Sequence, residues 1–313
     1  MDIARLLSEH GGVVPLEALV RLGPSARRIT AAASRGEILR VRRGWYATLD
    51  APRELVRAVR VGGSLTSVSA TRRYQLWTID DGQTHVSVGR NASRLRSPSG
   101  AGPLSARRDR VCLHWRNEAG PDRTALQHVL TALIDVIDCQ PEEHAIAVVD
   151  SALNLGLVTR YELEAAVRLL PRRFRRAVER ADGRSQSGTE TLVRLRLLRR
   201  GLKVRIQVQC GAARVDILVG DRLVIECLSR AFHTGVEQYA RDRERELTLV
   251  DGRYLTMTLS YEQVLYDWER VQDVILRRVA DGDHHWPRRR SARPFSGRTG
   301  TARPSAGPPL APS

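Results

Sequence analysis

Apolar residues recur at helical spacing over residues 2–9 (Ile3, Leu6, Leu7) and 15–22 (Leu16, Leu19, Val20), separated by Gly11-Gly12 and closed by Gly23-Pro24. A third predicted helix begins at Ser25 and runs SARRITAAASR to Gly36. In EILRVRRGWYA the period shortens to two, with apolar and basic positions alternating around Arg43-Gly44 as in a short hairpin. Three helices followed by a hairpin is the order of a winged helix-turn-helix, which assigns residues 1–52 to such a unit.

Beyond it the pattern predicts helices near 53–60 and from Ser67, strands at THVSVG and RVCLHW, and helices over 124–138, 142–155 and 159–180. Between the two strands, GRNASRLRSPSGAGPLSARRDR reads as an exposed basic loop broken up by Ser, Gly and Pro. This middle α/β region, 53–184, offers no catalytic constellation. From Ser187 the order becomes helix (187–200), strand (203–209), hairpin, helix (236–250), strand (254–260) and helix (261–279), a compact α/β unit over 185–280. Residues 287–313 are rich in Pro, Ser, Gly and Arg and predict a disordered basic tail. The fold class expected is therefore α+β and multidomain.

A formal charge of +16 beside 42% hydrophobic residues describes folded domains with a polyanionic partner. Six arginines of the tail contribute to that charge, yet the remainder stays basic without them. Lys203 is the only lysine. The four cysteines are far apart and form no Cys-x-x-Cys pair, which argues against a zinc ribbon or a disulfide framework and for a reduced compartment. With no apolar run of spanning length and no signal-peptide pattern in MDIARLLSEH, a soluble cytoplasmic protein without membrane contact is expected.

In a helix-turn-helix the second helix of the pair enters the major groove of double-stranded DNA. Arg27 and Arg28 lie in the first turn of that helix and Arg35 at its end, while Arg40, Arg42 and Arg43 fall on the wing. A solvated charged face is the bland alternative for any of them. The stretch GGVVPLEALVRLGPSARRITAAASRGEILRVRRGWYA resembles the N-terminal domain of AbiEi-type abortive-infection antitoxins, and SLTSVSATRRYQLW with THVSVG is similar to the segment that follows it in actinobacterial members. That resemblance covers about residues 1–115 and implies an operator-binding regulator with a toxin-type partner.

The hairpin RVDILVGDRLVIEC holds two acids, Asp216 and Glu226. A strict two-residue Gly220-Asp221 turn sends their side chains to opposite faces, whereas a three-residue loop, 220–222, sets them directly across from each other. The three-residue loop, or an equivalent bulge, is expected. Two facing carboxylates repel unless a cation lies between them, and hard Mg²⁺ suits oxygen ligands, which makes metal-dependent phosphodiester hydrolysis the natural chemistry. Surface-facing acids of an amphipathic sheet are the plain alternative. Glu190, in Ser187-x-x-Glu190, is a capping-box residue, a third acid directed at the metal, or both.

Residues 185–280 resemble the restriction-endonuclease-like superfamily, and more closely the endonuclease domains related to very-short-patch repair (Vsr) nucleases. The matching stretches are SGTETLVRLRLLRRGL, RVDILVGDRLVIEC, SRAFHTGVEQYARDRERE and GRYLTMTLSYEQVL. The resemblance implies Asp216 and Glu226 as metal ligands, Glu190 as the helix acid, and His233 and Asp242 as further site members. His233 is suited to general acid or base work, and Arg230 to steadying phosphate charge. Leu228 departs from the pattern, since the superfamily's usual Glu-x-Lys and the Vsr-related Glu-x-Asp both place a polar residue there; Lys203 replaces it only if it reaches the face of Asp216. In RDRERE, Asp242 belongs either to the site edge or to a solvated helix face. VRLLPRRFRRAVER either tracks phosphates or bridges domains. The expected protein binds DNA and carries a nuclease fold with an impaired Mg²⁺ site; the alternatives are an antitoxin-like repressor that cuts nothing, or a basic protein that binds RNA or acidic partners without specificity.

Overall fold

A computed structural model describes residues 2–116, 124–228 and 236–287, with the backbone alone described for 236–242. The basic tail expected from 287 lies outside the described residues from position 288 onward.

The chain opens with α1 (Ile3–Glu9), β1 (Val13–Pro15), α2 (Leu16–Arg21), α3 (Ala26–Ser34), β2 (Leu39–Arg42) and β3 (Trp45–Ala47). Local chemistry sets the helix starts: Asp2 accepts from the amides of Ala4 and Arg5, and Ser25 from that of Arg28. The periodicity did not announce β1. Its three buried residues pair antiparallel with β3 and complete a sheet in the order β1-β3-β2. Leu7, Leu19, Ile29, Ile38 and Tyr46 fill the space between helices and sheet.

The middle comprises α4 (Arg53–Val61), β4 (Ser64–Leu65), α5 (Ser67–Arg73), β5 (Thr84–Gly89), α6 (Ala106–Asp109) and β6 (Val111–Arg116). Its sheet runs β4-β5-β6, with β5 and β6 parallel in a register that pairs His85 with Cys112 and Ser87 with His114. Val41, Trp45 and Ala47 of the first sheet share a core with Val59 and Val86, so that both of its faces are covered. Four helices follow: α7 (Val129–Cys139), α8 (Glu142–Asn154), α9 (Arg160–Val167) and α10 (Arg172–Arg180). The single helix expected over 159–180 is broken at Pro171, which has no amide hydrogen to donate and disfavours a helical residue before it.

The last part contains α11 (Gly188–Arg199), β7 (Val204–Cys210), β8 (Ala213–Val219), β9 (Leu223–Cys227), α12 (Val236–Asp251), β10 (Leu255–Leu259), α13 (Tyr261–Tyr266) and α14 (Trp268–Ala280). A meander of β7, β8 and β9 is extended by β10, which pairs parallel to β9 after the α12 crossover. The helix expected over 261–279 divides at Asp267. Ile217, Leu223, Ile225, Val264 and Ile275 pack with Leu192 and Leu197 of α11. On the other side of α11, Leu195 enters the core of α7–α10. A helix buried on two sides needs apolar residues nearly all round, which is how LVRLRLL reads. The whole is a multidomain α+β protein with three small sheets. Among the described residues no helix is long and apolar enough to cross a membrane.

Candidate functional site

Val219 pairs with Leu223, Leu218 with Val224 and Ile217 with Ile225. The turn is therefore the three residues 220–222, and Asp216 comes opposite Glu226 as the pattern required. Gly220 permits this turn because it sits in the left-handed region (φ 65°), with the His284 carbonyl oxygen only 2.4 Å from where a Cβ would be. The amides of Asp221 and Arg222 both donate to that same carbonyl.

Around the two acids a connected group forms. Asp216 Oδ2 accepts from the Cys227 amide at 2.9 Å. Gln207 Nε2 donates to Glu190 Oε2 at 2.9 Å and to Asp216 Oδ1 at 3.3 Å, bridging helix and sheet. Gln207 is in the middle of β7 and yet has φ 53°, a left-handed conformation that costs a non-glycine residue on the order of 1–3 kcal/mol. Backbone strain of this kind collects at functional sites, and here it aims the amide at two carboxylates.

Glu190 is buried, and its capping box forms only in part. Ser187 Oγ accepts from the Glu190 amide, but the Glu190 carboxylate takes the Gln186 amide and the Ser187 hydroxyl instead of the Ser187 amide. Burial first, and the Asp216 charge second, push the Glu190 carboxyl up to about 7. The same two causes, opposed by Arg245, push Glu226 up to about 8. Arg245 of α12 pairs with Glu226 Oε2, while Glu226 Oε1 is buried with no hydrogen-bond partner among the described residues. Among the described residues, the guanidinium of Arg245 is the one cationic group paired with these carboxylates.

Neither expected source of a lysine serves the pocket. Leu228 is exposed and apolar, its amide bonded to the Leu259 carbonyl. Lys203 accepts from the Gly220 amide beside the turn, four residues along β7 from Gln207 and so about 13 Å away. It lines a shallow cleft with Asp221 and His285. His233 and Arg230 lie outside the described residues. So does the side chain of Asp242, although its backbone belongs to α12.

The chain matches no protein-family model and no curated protein. What it can do must be argued from these side chains. Carboxylate oxygens suit a hard divalent cation such as Mg²⁺, but the ligand oxygens of Asp216, Glu226 and Glu190 do not form a group as compact as His85, Cys112 and His114 do.

Of the arginines assigned to DNA, Arg27, Arg28, Arg40 and Arg43 are exposed. Arg35 is exposed too but is engaged bidentately by Glu37, at 2.6 and 3.1 Å. Arg42 turns inward, donating to the Val59 carbonyl at the end of α4 and filling the space over Gly62. It belongs to packing between β2 and α4 rather than to an outer face. The basic stretch over 167–180 is in part engaged by acids of the helical region: Arg173 pairs with Asp138, and Arg176 and Arg180 with Glu142.

One constellation escaped the sequence altogether. His85, Cys112 and His114 bring their ligand atoms within 4.8 Å of one another between β5 and β6, a group able to hold a metal ion. The spacing Cys112-x-His114 on a predicted strand, which puts both side chains on one face, was the available signal.

Proposed function

We infer that the protein binds double-stranded DNA through an AbiEi-type winged helix in residues 1–52 and carries a Vsr-related, restriction-endonuclease-like unit whose Mg²⁺ site is weakened. The observation that carries this reading is the placing of Asp216 across from Glu226 in one hairpin, with Gln207 linking Asp216 to the buried Glu190 of the preceding helix. In the first half, Arg27 and Arg28 at the start of α3 would meet the major groove, with Arg40 and Arg43 on the neighbouring phosphates. In the second, Mg²⁺ would polarise a phosphodiester and supply a more acidic water. Asp216 is oriented by the Cys227 amide, and Glu190 by Ser187 and Gln186. Gln207 orients both acids but cannot shuttle a proton.

A second reading, an antitoxin-like repressor with a toxin-type partner and no cleavage, is favoured by Leu228. An exposed apolar side chain stands where a polar one would be expected to touch the phosphate. Plasmid nicking in Mg²⁺ and Mn²⁺ by the wild type, Asp216→Asn and Leu228→Asp separates the two. Slow wild-type nicking that Asp216→Asn abolishes is the expected result. Cleavage by Leu228→Asp alone transfers the protein to the repressor reading, and no cleavage by any of the three removes the nuclease. Operator-type binding is tested by Arg27→Ala with Arg28→Ala, which should shallow the salt dependence of DNA affinity by about two phosphate contacts.

A further inference from the structure

We propose that His85, Cys112, His114 and Cys139 form a four-ligand structural zinc site that ties β5 and β6 to the C-terminal end of α7. His85 is on β5, Cys112 and His114 are on β6, and Cys139 is the last residue of α7. Both histidines are buried and both cysteines are half-buried free thiols.

His85, Cys112 and His114 form a compact group able to hold a metal ion, and Cys139 approaches it from α7, with three of the spacings near those of a tetrahedral ion. Zinc bonds of about 2.0 Å to nitrogen and about 2.3 Å to sulfur place two nitrogens about 3.3 Å apart and a sulfur about 3.6 Å from a nitrogen. His85 Nδ1 stands 3.1 Å from His114 Nε2, Cys112 Sγ 3.7 Å from His114 Nε2, and Cys139 Sγ 3.8 Å from His85 Nδ1.

Proton placement argues in the same direction. Each outer ring nitrogen faces a carboxylate: His85 Nε2 is 2.9 Å from Asp81, and His114 Nδ1 is 3.7 Å from Asp135. With neutral rings and no ion, one of the two inner nitrogens must carry a proton to join the other. That ring then turns an outer lone pair toward its carboxylate. An ion on the two inner lone pairs removes the conflict, because both outer nitrogens are then protonated, that of His85 donating to Asp81 and that of His114 facing the Asp135 charge. Carboxylate–histidine–metal relays of this form orient zinc ligands.

Further side chains orient the two carboxylates and the Cys139 sulfur. Asp81 is held by Gln140 Nε2 and the Gln83 amide, and Asp135 by Thr66 Oγ1 and Arg116. Ser67 Oγ lies 3.1 Å from Cys139 Sγ, and Gln140 Nε2 donates to that sulfur at 3.5 Å. Ser67 is fully buried in the left-handed region at φ 48°, a strained position that keeps its hydroxyl on the sulfur. Two thiolates with two imidazoles select zinc over magnesium or calcium, and four protein ligands leave no position for a reacting water. The site is structural, and it is independent of the acids near Asp216.

The test is metal content of the full-length protein purified without chelators. About one zinc per chain is expected, retained in Asp216→Asn and lost in Cys112→Ser. Should Cys112→Ser fail to fold, cobalt exchange into the wild type decides, with thiolate-to-cobalt absorption in the near ultraviolet as the expected signature, reduced but present in Cys139→His. A wild type that is folded by circular dichroism and size exclusion, yet holds no zinc and shows no such absorption after reduction, overturns the proposal. Recovery of a Cys112–Cys139 disulfide from anaerobic preparations overturns it equally.

Discussion

At Glu190 a single carboxylate accepts from the Gln186 amide, the Ser187 hydroxyl and Gln207 while facing Asp216. Because its folded value is raised from 4.5 to about 7, the native state holds this proton more tightly than the unfolded chain does. The stability contributed is fully present below pH 4.5 and is lost as pH rises toward 7, by about 3 kcal/mol at most. Glu190→Gln, which cannot ionise, lacks that loss. Its melting temperature relative to wild type should therefore climb between pH 5 and pH 8 in metal-free buffer, as measured by parallel thermal melts; a flat difference would mean that Glu190 titrates normally. Asp216 and Glu226 were legible because alternation along one hairpin decides their faces. The histidine and cysteine ligands were not, since bringing them together depends on the parallel register of β5 with β6 and on where α7 ends. No local pattern encodes either.

Among the elements, the β8–β9 turn has a requirement that can be isolated. Gly220→Ala meets both a positive φ and the His284 carbonyl, whereas Gly211→Ala in the β7–β8 turn has a similar φ of 60° and nothing within 4 Å. Gly211→Ala should cost only the backbone term, about 1 kcal/mol, and Gly220→Ala clearly more, about 2–3 kcal/mol, by chemical denaturation. Faster hydrogen exchange at the Asp221 and Arg222 amides should accompany the larger loss, because these are the amides that His284 accepts. Helices were legible wherever a cap or a glycine marked an end, as at Ser25 and Gly36 for α3. Errors fell where an interior break was needed: apolar spacing continues through Pro171 and Asp267, and only chain direction changes there. β1 was missed because three residues are too few to show a period.

Across the molecule, α11 joins the helical core to the four-stranded sheet, and its buried Arg194 pairs with buried Asp150 of α8 at 2.8 Å. Thr191 Oγ1 and the Asp182 amide complete that carboxylate's contacts. Removing one partner of a buried pair strands the other, so Arg194→Ala should cost about 3–5 kcal/mol in urea unfolding, while Arg27→Ala on the exposed face of α3 should cost almost nothing. The sequence marked α11 as a helix, but not its place between two cores. The His284 contact also has a consequence in time. Asp221 and His285 are 64 residues apart, so a ribosome adding roughly 5–20 residues per second delivers the clamp several seconds after the turn it closes. During those seconds the newborn hairpin has its own strand pairing, with β7 beside it and the Gly220 amide on the Lys203 carbonyl, to keep Asp216 across from Glu226.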